Sequence, residues 1–191
     1  MSTLGGLVGG ILMALTGLAL LSVLNEAEFV VVEPVGWFAM VLLALALPAL
    51  YASERDWFGW PGKIGFALLS IGWVVATLGL TVGTYTMPPT SETGFLVFLL
   101  AFLVAVIGML VFGVAVLRSD GATIPRSAAW LLILALPVGV PFAIAFTTYV
   151  MGEGADPWAG PMLFYGLAWV IYARSLRQRR AESPAVEPAG Q

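Results

Sequence analysis

The sequence has no cysteine and no histidine among its 191 residues. Without cysteine, the chain cannot form a disulfide bond, a thiolate metal site or a redox pair, so thiol content says nothing about its compartment. Without histidine, it lacks the commonest general base and the commonest protein ligand for zinc and haem iron. These absences exclude proteolysis that depends on a Ser–His pair or on a histidine-bound metal.

Charged residues are also scarce. They make up 10% of the chain, against about 25% in an average soluble domain. Hydrophobic residues make up 60%, and the mean hydropathy is +0.99. This composition excludes an ordinary water-soluble fold, and the length suits one compact domain.

The most informative stretch covers residues 130–150, WLLILALPVGVPFAIAFTTYV, which carries no charge over 21 residues. At about 1.5 Å per residue, a helix of this length spans ~31 Å, close to the hydrocarbon thickness of a bilayer. We therefore predict a transmembrane helix here. We predict transmembrane helices at five further apolar runs for the same reason.

The predicted fold is all-α, a polytopic membrane protein with six transmembrane helices. The spans are about 4–24, 35–52, 63–84, 94–117, 127–150 and 158–174, within a single membrane domain over residues 1–181. We interpret the first span as a permanent helix, with a cleaved signal peptide as the alternative. Residues 25–33 and 53–62 are predicted loops on opposite sides of the membrane, and residues 182–191 a disordered tail.

The charges predict the orientation. All eight basic residues fall on one side of the six spans, whereas the other side has only acids. The basic residues are Arg55, Lys63, Arg118, Arg126, Arg174, Arg177, Arg179 and Arg180. Short loops rich in lysine and arginine stay in the cytoplasm. We therefore predict a cell-membrane protein with both termini cytoplasmic.

Stripes of small residues predict close helix packing. In the third span, Gly72, Ala76, Gly79 and Gly83 recur at steps of three or four and share a face. The first span has a similar stripe, at Gly6, Gly10, Ala14 and Gly17. Small residues let helix backbones approach closely in lipid. We expect these stripes to contact another helix, either in a membrane-protein partner or in a second copy of the chain.

Two prolines interrupt the fifth span near its middle. Pro137 and Pro141 flank Gly139, and each proline removes one backbone hydrogen bond. Two interpretations stay open at this point. The break is either a structural kink, since proline and glycine are frequent in membrane helices, or a site where freed carbonyl groups bind a solute or ion.

A basic collar follows the last span, formed by Arg174, Arg177, Arg179 and Arg180. It either binds anionic lipid headgroups, at about 1 kcal/mol per base near a charged surface, or serves only as the topological stop after the last helix. These two interpretations are compatible. The expected partners are thus the bilayer, its anionic headgroups and another membrane protein, with no nucleic acid.

The sequence offers no apparatus for catalysis. Between their boundary residues the spans contain no Asp, Glu, Lys or Arg, and such charges mark proton relays and ion pathways. Lys63, the only lysine, lies at a span boundary, which excludes a retinal Schiff base. The chain also lacks a phosphate-binding G-x-x-x-x-G-K-[ST] loop. We expect no enzymatic activity and no cofactor.

Several segments resemble a known group of proteins. These are residues 111–118 (VFGVAVLR), 124–126 (IPR), 129–132 (AWLL) and 165–174 (YGLAWVIYAR). They are similar to a loose group of uncharacterised small six-helix integral membrane proteins from high-GC bacteria and halophilic archaea. The resemblance implies the fold and assigns no activity.

Two functions remain as hypotheses from the sequence. The first is a non-enzymatic membrane component that associates with a partner or with itself through its glycine stripes. The alternative is a small uncoupled permease or channel for a neutral or weakly cationic solute, using the break from Pro137 to Pro141. The first is preferred because no polar pathway crosses the spans.

Overall fold

The structure, a computed structural model, describes residues 2–22, 26–85, 93–152 and 157–182. Within these ranges the chain forms helices joined by short turns. The α-helices are α1 (Ser2–Leu21), α2 (Glu26–Glu54), α3 (Trp60–Tyr85), α4 (Thr93–Arg118), α5 (Arg126–Leu134), α6 (Val140–Phe146) and α7 (Ala159–Glu182). A 3-10 turn (Arg55–Trp57) follows α2, and two π-helical turns (Ala135–Gly139 and Thr147–Met151) flank α6. Of the predicted tail, residues 182–191, Glu182 belongs to α7 and the rest lies outside the described residues.

Among the described residues, five stretches are long and apolar enough to cross a membrane. They are Thr3–Leu21, Val31–Trp57, Trp60–Gly83, Thr93–Arg118 and Arg126–Met151, with mean hydropathy from 1.9 to 3.1. Hydrocarbon offers no partners to backbone N–H and C=O groups, so segments of this composition form helices that pair these groups internally. The predicted all-helical fold is confirmed, and the long apolar helices indicate a membrane protein.

The sixth predicted span corresponds to α7, which runs antiparallel to α1. A Cβ added at Gly10 would lie 2.9 Å from the carbonyl oxygen of Gly166, and one added at Gly17 would lie 2.5 Å from the backbone nitrogen of Leu163. The pair is therefore in backbone contact over successive turns. The start of α1 and the end of α7 lie at the same end of the bundle.

The second helix begins earlier than the sequence predicted. Residues 26–33, predicted as an acidic loop, belong to α2, and Pro34 lies inside the helix. A proline in a helix removes only one backbone hydrogen bond, and the strongly apolar turns on both sides of Pro34 continue the helix across it. The loop prediction is therefore wrong for these residues.

The fifth span is continuous but irregular. The predicted break takes the form of a π-helical turn over Ala135–Gly139, after which α6 resumes with Val140 donating its backbone N–H to the carbonyl of Leu136. A second π turn, Thr147–Met151, ends the span at Gly152, whose φ is 78°. The prolines thus widen the helix locally and do not unwind it.

Helices α3 and α4 form a close antiparallel pair. A Cβ added at Gly65 would lie 2.5 Å from the backbone nitrogen of Phe112, and one added at Gly72 would lie 2.4 Å from that of Ala105. Each step of seven residues along α3 is matched by seven residues back along α4. Only glycine allows the backbones this close.

Aromatic side chains fill the centre of the bundle. Trp73 is fully buried, its ring centroid lying 4.3 Å from that of Tyr165 and 5.9 Å from that of Phe102. The indole Nε1 of Trp73 donates a hydrogen bond to the carbonyl oxygen of Met40, at 3.1 Å. Trp73 therefore joins α2, α3, α4 and α7 in one core.

Three segments that are far apart in the chain meet at one end of the bundle. They are the α2–α3 connection, the α4–α5 connection and the C-terminal half of α7, all of which contribute hydrogen bonds around Glu54. The eight basic residues of the chain lie in these three segments or in the helix turns directly next to them. We call this end of the bundle the basic end.

Candidate functional site

The basic end contains a completely buried carboxylate. Glu54, the last residue of α2, has no exposed surface. The sequence predicts this residue to lie in the loop of residues 53–62. The structure instead buries it, while the side chains of Arg55 and Asp56 are 62% and 93% exposed and lie 3.7 Å apart.

Four donors surround the Glu54 carboxylate. The backbone N–H of Thr123 donates to Oε2 at 3.0 Å, and the hydroxyl of the same threonine donates to Oε1. The indole Nε1 of Trp57 donates to Oε2, and the Tyr172 hydroxyl donates to Oε1 at 3.4 Å. These donors come from three separate parts of the chain.

This arrangement explains how a carboxylate can be buried here. Transferring an ionised or polar group out of water costs several kcal/mol unless hydrogen bonds replace those to water. Hydrogen bonds to a carboxylate are roughly twice as strong as those between neutral groups. Glu54 therefore fastens the end of α2 to the α4–α5 connection and to α7.

A cleft opens beside this network, between α1, α2 and α7. Its volume is about 40 Å³. Its lining includes residues with hydroxyl groups, Thr3, Ser53 and Tyr172, and apolar residues, among them Gly6, Ala46, Ala49, Leu50 and Trp169. Ser53 is exposed, and its Oγ lies 2.6 Å from the Tyr172 hydroxyl. We call this feature the inner cleft.

A second, smaller cavity lies deeper in the bundle. It has a volume of about 20 Å³, and its lining presents only apolar surface, with Leu69, Phe112 and Leu132 among the lining residues. Tyr165 also lines it, and the tyrosine hydroxyl is buried with no hydrogen-bond partner among the described residues. The volume is large enough for one water molecule, but a stable buried water needs two to four polar partners. We interpret this cavity as dry.

The predicted break in the fifth span faces α7. A Cβ added at Gly139 would lie 3.0 Å from the carbonyl carbon of Gly160 and from the nitrogen of Pro161, whereas Pro137 and Pro141 are exposed on the outer surface of the span. Neither of the two cavities above includes Gly139 in its lining. The glycine thus serves a close helix crossing.

The glycine stripe of α3 is covered by α4. A Cβ added at Gly79 would lie 2.9 Å from the Phe98 nitrogen, and one added at Gly83 would lie 3.1 Å from the Cα of Gly94. Gly72 meets α4 in the same way, and Ala76 is fully buried. This stripe therefore lies inside the chain, where a separate partner has no access to it.

The basic collar lies on the last turns of α7. The side chains of Arg174, Arg177 and Arg179 are exposed, and Arg180 belongs to the same helix. Arg174 directly follows Ala173, and Arg177 directly follows Leu176. Both of those apolar residues line the inner cleft. Because consecutive residues of a helix point about 100° apart, Arg174 and Arg177 lie on other faces of α7 than the lining residues that precede them, and no arginine is among the residues that line the inner cleft.

A hydrogen bond also joins α2 and α3 near the opposite end. The indole Nε1 of Trp37 donates to the hydroxyl of Thr81 at 2.8 Å, and that hydroxyl donates to the carbonyl of Thr77 at 2.7 Å. The Thr81 hydroxyl therefore has both a hydrogen-bond donor and an acceptor within the bundle.

Sequence reasoning missed both Glu54 and the inner cleft. Each is assembled from residues more than a hundred positions apart, such as Ser53 and Tyr172. A local signal did exist, since Trp57 stands three residues after Glu54 and can reach back to it. That spacing predicts the contact between Trp57 and Glu54, but it does not predict that Glu54 is buried.

Comparison of the chain with protein-family models, with curated proteins and with solved structures found no match. The class of protein therefore rests on the fold itself, a bundle of long apolar helices of the kind found in membranes. The resemblance to small membrane proteins of high-GC bacteria and halophilic archaea stays a prediction.

Proposed function

We propose that the protein is a six-span component of the cell membrane with both termini in the cytoplasm. The sixth span is α7, which the backbone contacts of Gly10 and Gly17 hold along α1. Because α1 is long and apolar enough to cross a membrane, a helix that accompanies it turn by turn crosses the same layer. The arginines at the end of α7 lower its hydropathy without shortening this contact.

The basic end supports the orientation. Every lysine and arginine of the chain lies in the three segments that meet around Glu54 or in the helix turns directly next to them. Positively charged connections stay on the cytoplasmic side during insertion. The opposite end of the bundle, where α1, α3 and the fifth span end, then faces outwards.

Within the membrane, we propose a non-enzymatic role in which the protein associates with a membrane partner or with a second copy of itself. The observation that carries this proposal is the exposure of the fifth span, of which 28% is buried, less than in the four other apolar spans. Its outer surface presents Trp130, Val138, Phe142 and Ile144. The glycine stripe of α3 is used within the chain, so we expect a partner on the fifth span.

The alternative of a small permease has less support. It requires the carbonyl groups near Pro137 and Gly139 to line a wet passage, yet Gly139 faces the backbone of Gly160 and Pro161. The deeper cavity presents no polar surface. Purified protein in liposomes is accordingly expected to leave the flux of small neutral solutes at the level of empty liposomes, and a flux above that level would favour the permease.

The topology is tested by thiol labelling, since the chain has no cysteine of its own. Three single variants suffice: Asp120→Cys in the α4–α5 connection, Tyr149→Cys at the far end of the fifth span and Gln178→Cys on α7, all at exposed positions. In intact cells, a membrane-impermeant maleimide should label only Tyr149→Cys. Labelling of Gln178→Cys together with Tyr149→Cys would mean that α7 does not cross the membrane.

The association surface is tested by photo-crosslinking in cells. A photoreactive residue at Val138 or Phe142, which are each 42% exposed, should give a discrete crosslinked species. The matched controls are Ile71 and Leu78 on α3, at 62% and 57% exposed. Equal crosslinking from both helices, or none from the fifth span, would contradict a partner at this surface.

A further inference from the structure

The two oxygens of the Glu54 carboxylate have different kinds of hydrogen-bond partner. Oε2 accepts from the backbone N–H of Thr123 and from the indole N–H of Trp57, and neither of these groups can accept in return. Oε1 instead faces the hydroxyls of Thr123 and Tyr172. Because a hydroxyl can donate or accept, Oε1 has suitable partners whether or not it carries a proton.

A chain of hydroxyl groups leads from Oε1 to the surface. The Tyr172 hydroxyl lies 3.4 Å from Oε1 and 2.6 Å from the Oγ of Ser53, and either oxygen of the second pair can be the donor. Ser53 is exposed and lines the inner cleft, whose volume is about 40 Å³. One water molecule needs about 10–15 Å³. Water in the cleft therefore reaches Ser53, which is the outer end of the chain.

We propose that Glu54 is a reversible proton-binding site, loaded from water in the inner cleft through Ser53 and Tyr172. With the carboxylate ionised, Ser53 donates to Tyr172, and Tyr172 donates to Oε1. A hydronium ion gives a proton to the Ser53 Oγ, the proton that Ser53 held passes to Tyr172, and the proton of Tyr172 passes to Oε1. Each hydroxyl loses one proton and gains one, so the net products are water and a neutral carboxyl group.

The protonated state uses the same atoms in the reverse direction. Glu54 then donates from Oε1 to Tyr172, and Tyr172 donates to Ser53. The Ser53 hydroxyl donates to the carbonyl oxygen of Leu50, which lies 3.0 Å away. Every hydroxyl of the chain thus has an acceptor in both states. A carboxylate surrounded only by N–H donors would offer no acceptor to an added proton, and the proton would be buried without a partner.

The charged groups at the basic end lie outside this network. Arg55 and Asp56, which follow Glu54, have side chains that are 62% and 93% exposed. The charged side chains on the other elements around Glu54 are exposed as well, namely Lys63 on α3, Arg118, Asp120 and Arg126 around the α4–α5 connection, and Arg174, Arg177 and Arg179 on α7. Exposed charges are screened by water and salt. The hydroxyls are therefore the groups that respond to the state of Glu54.

Binding of the proton weakens the contact between the three segments of the basic end. Hydrogen bonds to a charged acceptor are roughly twice as strong as those between neutral groups, so Thr123 and Trp57 bond less strongly to a neutral carboxyl group. Acid on this side of the membrane thus loosens the α4–α5 connection from α2. That this side is the cytoplasm rests on the proposed function, whereas the proton site itself does not.

Infrared difference spectroscopy of the full-length protein in detergent tests proton binding. On acidification, the wild type should develop a carboxylic acid C=O band that Glu54→Gln lacks. Asp56→Asn, which removes a side chain that is 93% exposed, should retain this band. Identical spectra of the wild type and Glu54→Gln, over the whole pH range in which the protein stays folded, would overturn the proposal.

Tyr172→Phe tests where the proton lies, and it decides the question if Glu54→Gln does not fold. The carboxyl O–H group loses its acceptor in this variant, so its C=O band should move to higher frequency. Tyr51→Phe makes the same change at an exposed tyrosine of α2 and should leave the band in place. A band that does not move in Tyr172→Phe would overturn a proton on Oε1 facing Tyr172.

Ser53→Val tests the route of the proton. After a rapid drop in pH, the Glu54 band should appear at least about tenfold more slowly, because the transfer loses one hydrogen bond of the chain. Ser127→Val, at an exposed serine in the first turn of α5, should leave the rate unchanged. Equal rates in the two variants would overturn the route through Ser53. Detergent defines no sides, so failure of these tests leaves the thiol-labelling test of the topology unaffected.

Discussion

The carboxylate of Glu54 accepts a hydrogen bond of 3.0 Å from the backbone N–H of Thr123, which stands 69 positions further along the chain. The contact links the end of α2 to the connection between α4 and α5. Tyr172 adds α7 to the same carboxylate. The three cytoplasmic segments of our proposed topology are thus held together by one side chain.

We predict that Glu54→Leu lowers the free energy of unfolding by about 2–4 kcal/mol, because the buried donors of Thr123 and Trp57 lose a charged acceptor. Glu54→Gln should cost about half as much, since its amide nitrogen cannot accept. The measurement is unfolding by SDS in mixed micelles. The control is Asp56→Asn, whose side chain is 93% exposed and which should change stability by less than about 0.5 kcal/mol. Equal effects at both positions would refute the role of Glu54.

We predict that Gly72→Ala destabilises the protein by at least about 2 kcal/mol. The new Cβ would lie 2.4 Å from the backbone nitrogen of Ala105, and backbone atoms in a close helix pair cannot yield without separating the helices. Gly5→Ala is the matched control, because nothing lies within 4 Å of its added Cβ. It should be neutral or stabilising by up to about 1 kcal/mol. Similar stability of the two variants would show that α3 and α4 are not in backbone contact.

We predict opposite outcomes for two residues of the fifth span. Gly139→Leu should destabilise the protein strongly, since its Cβ would meet the backbone of Gly160 and Pro161 at 3.0 Å. Pro137→Ala, at an exposed position, should change stability by less than about 1 kcal/mol. Thermal unfolding in detergent measures both. A large loss from Pro137→Ala would assign the proline a structural role beyond the widened turn.

We predict a small coupling between Trp37 and Thr81. Their hydrogen bond of 2.8 Å joins α2 to α3, and hydrogen bonds between membrane helices are worth about 0.6 kcal/mol on average. A double-mutant cycle with Trp37→Phe and Thr81→Val measures this term directly. A coupling near zero would mean that the bond is replaced by others when it is lost.

The sequence was sufficient for the apolar parts of the helices, but it misplaced the start of α2 and did not predict the site. Long apolar runs such as α4 admit no alternative to a helix, and the small residues at Gly72 and Gly79 identified a packing face. The helix on the other side of that face depends on tertiary structure, and it proved to be α4. Glu54 illustrates the same limit, since its burial depends on Thr123 and Tyr172, and no local pattern around Glu54 refers to them.

The two π turns of the fifth span have a consequence for changes in chain length. A π turn holds one residue more than a regular helical turn, so deleting a single residue within Ala135–Gly139 converts the turn to ordinary α-helix and keeps the following side chains on their original faces. In α3 or α4, the same deletion would rotate everything beyond it by about 100° and turn the glycines away from one another. Deletion of one residue should therefore preserve helix packing in the fifth span and disrupt it in α3 or α4.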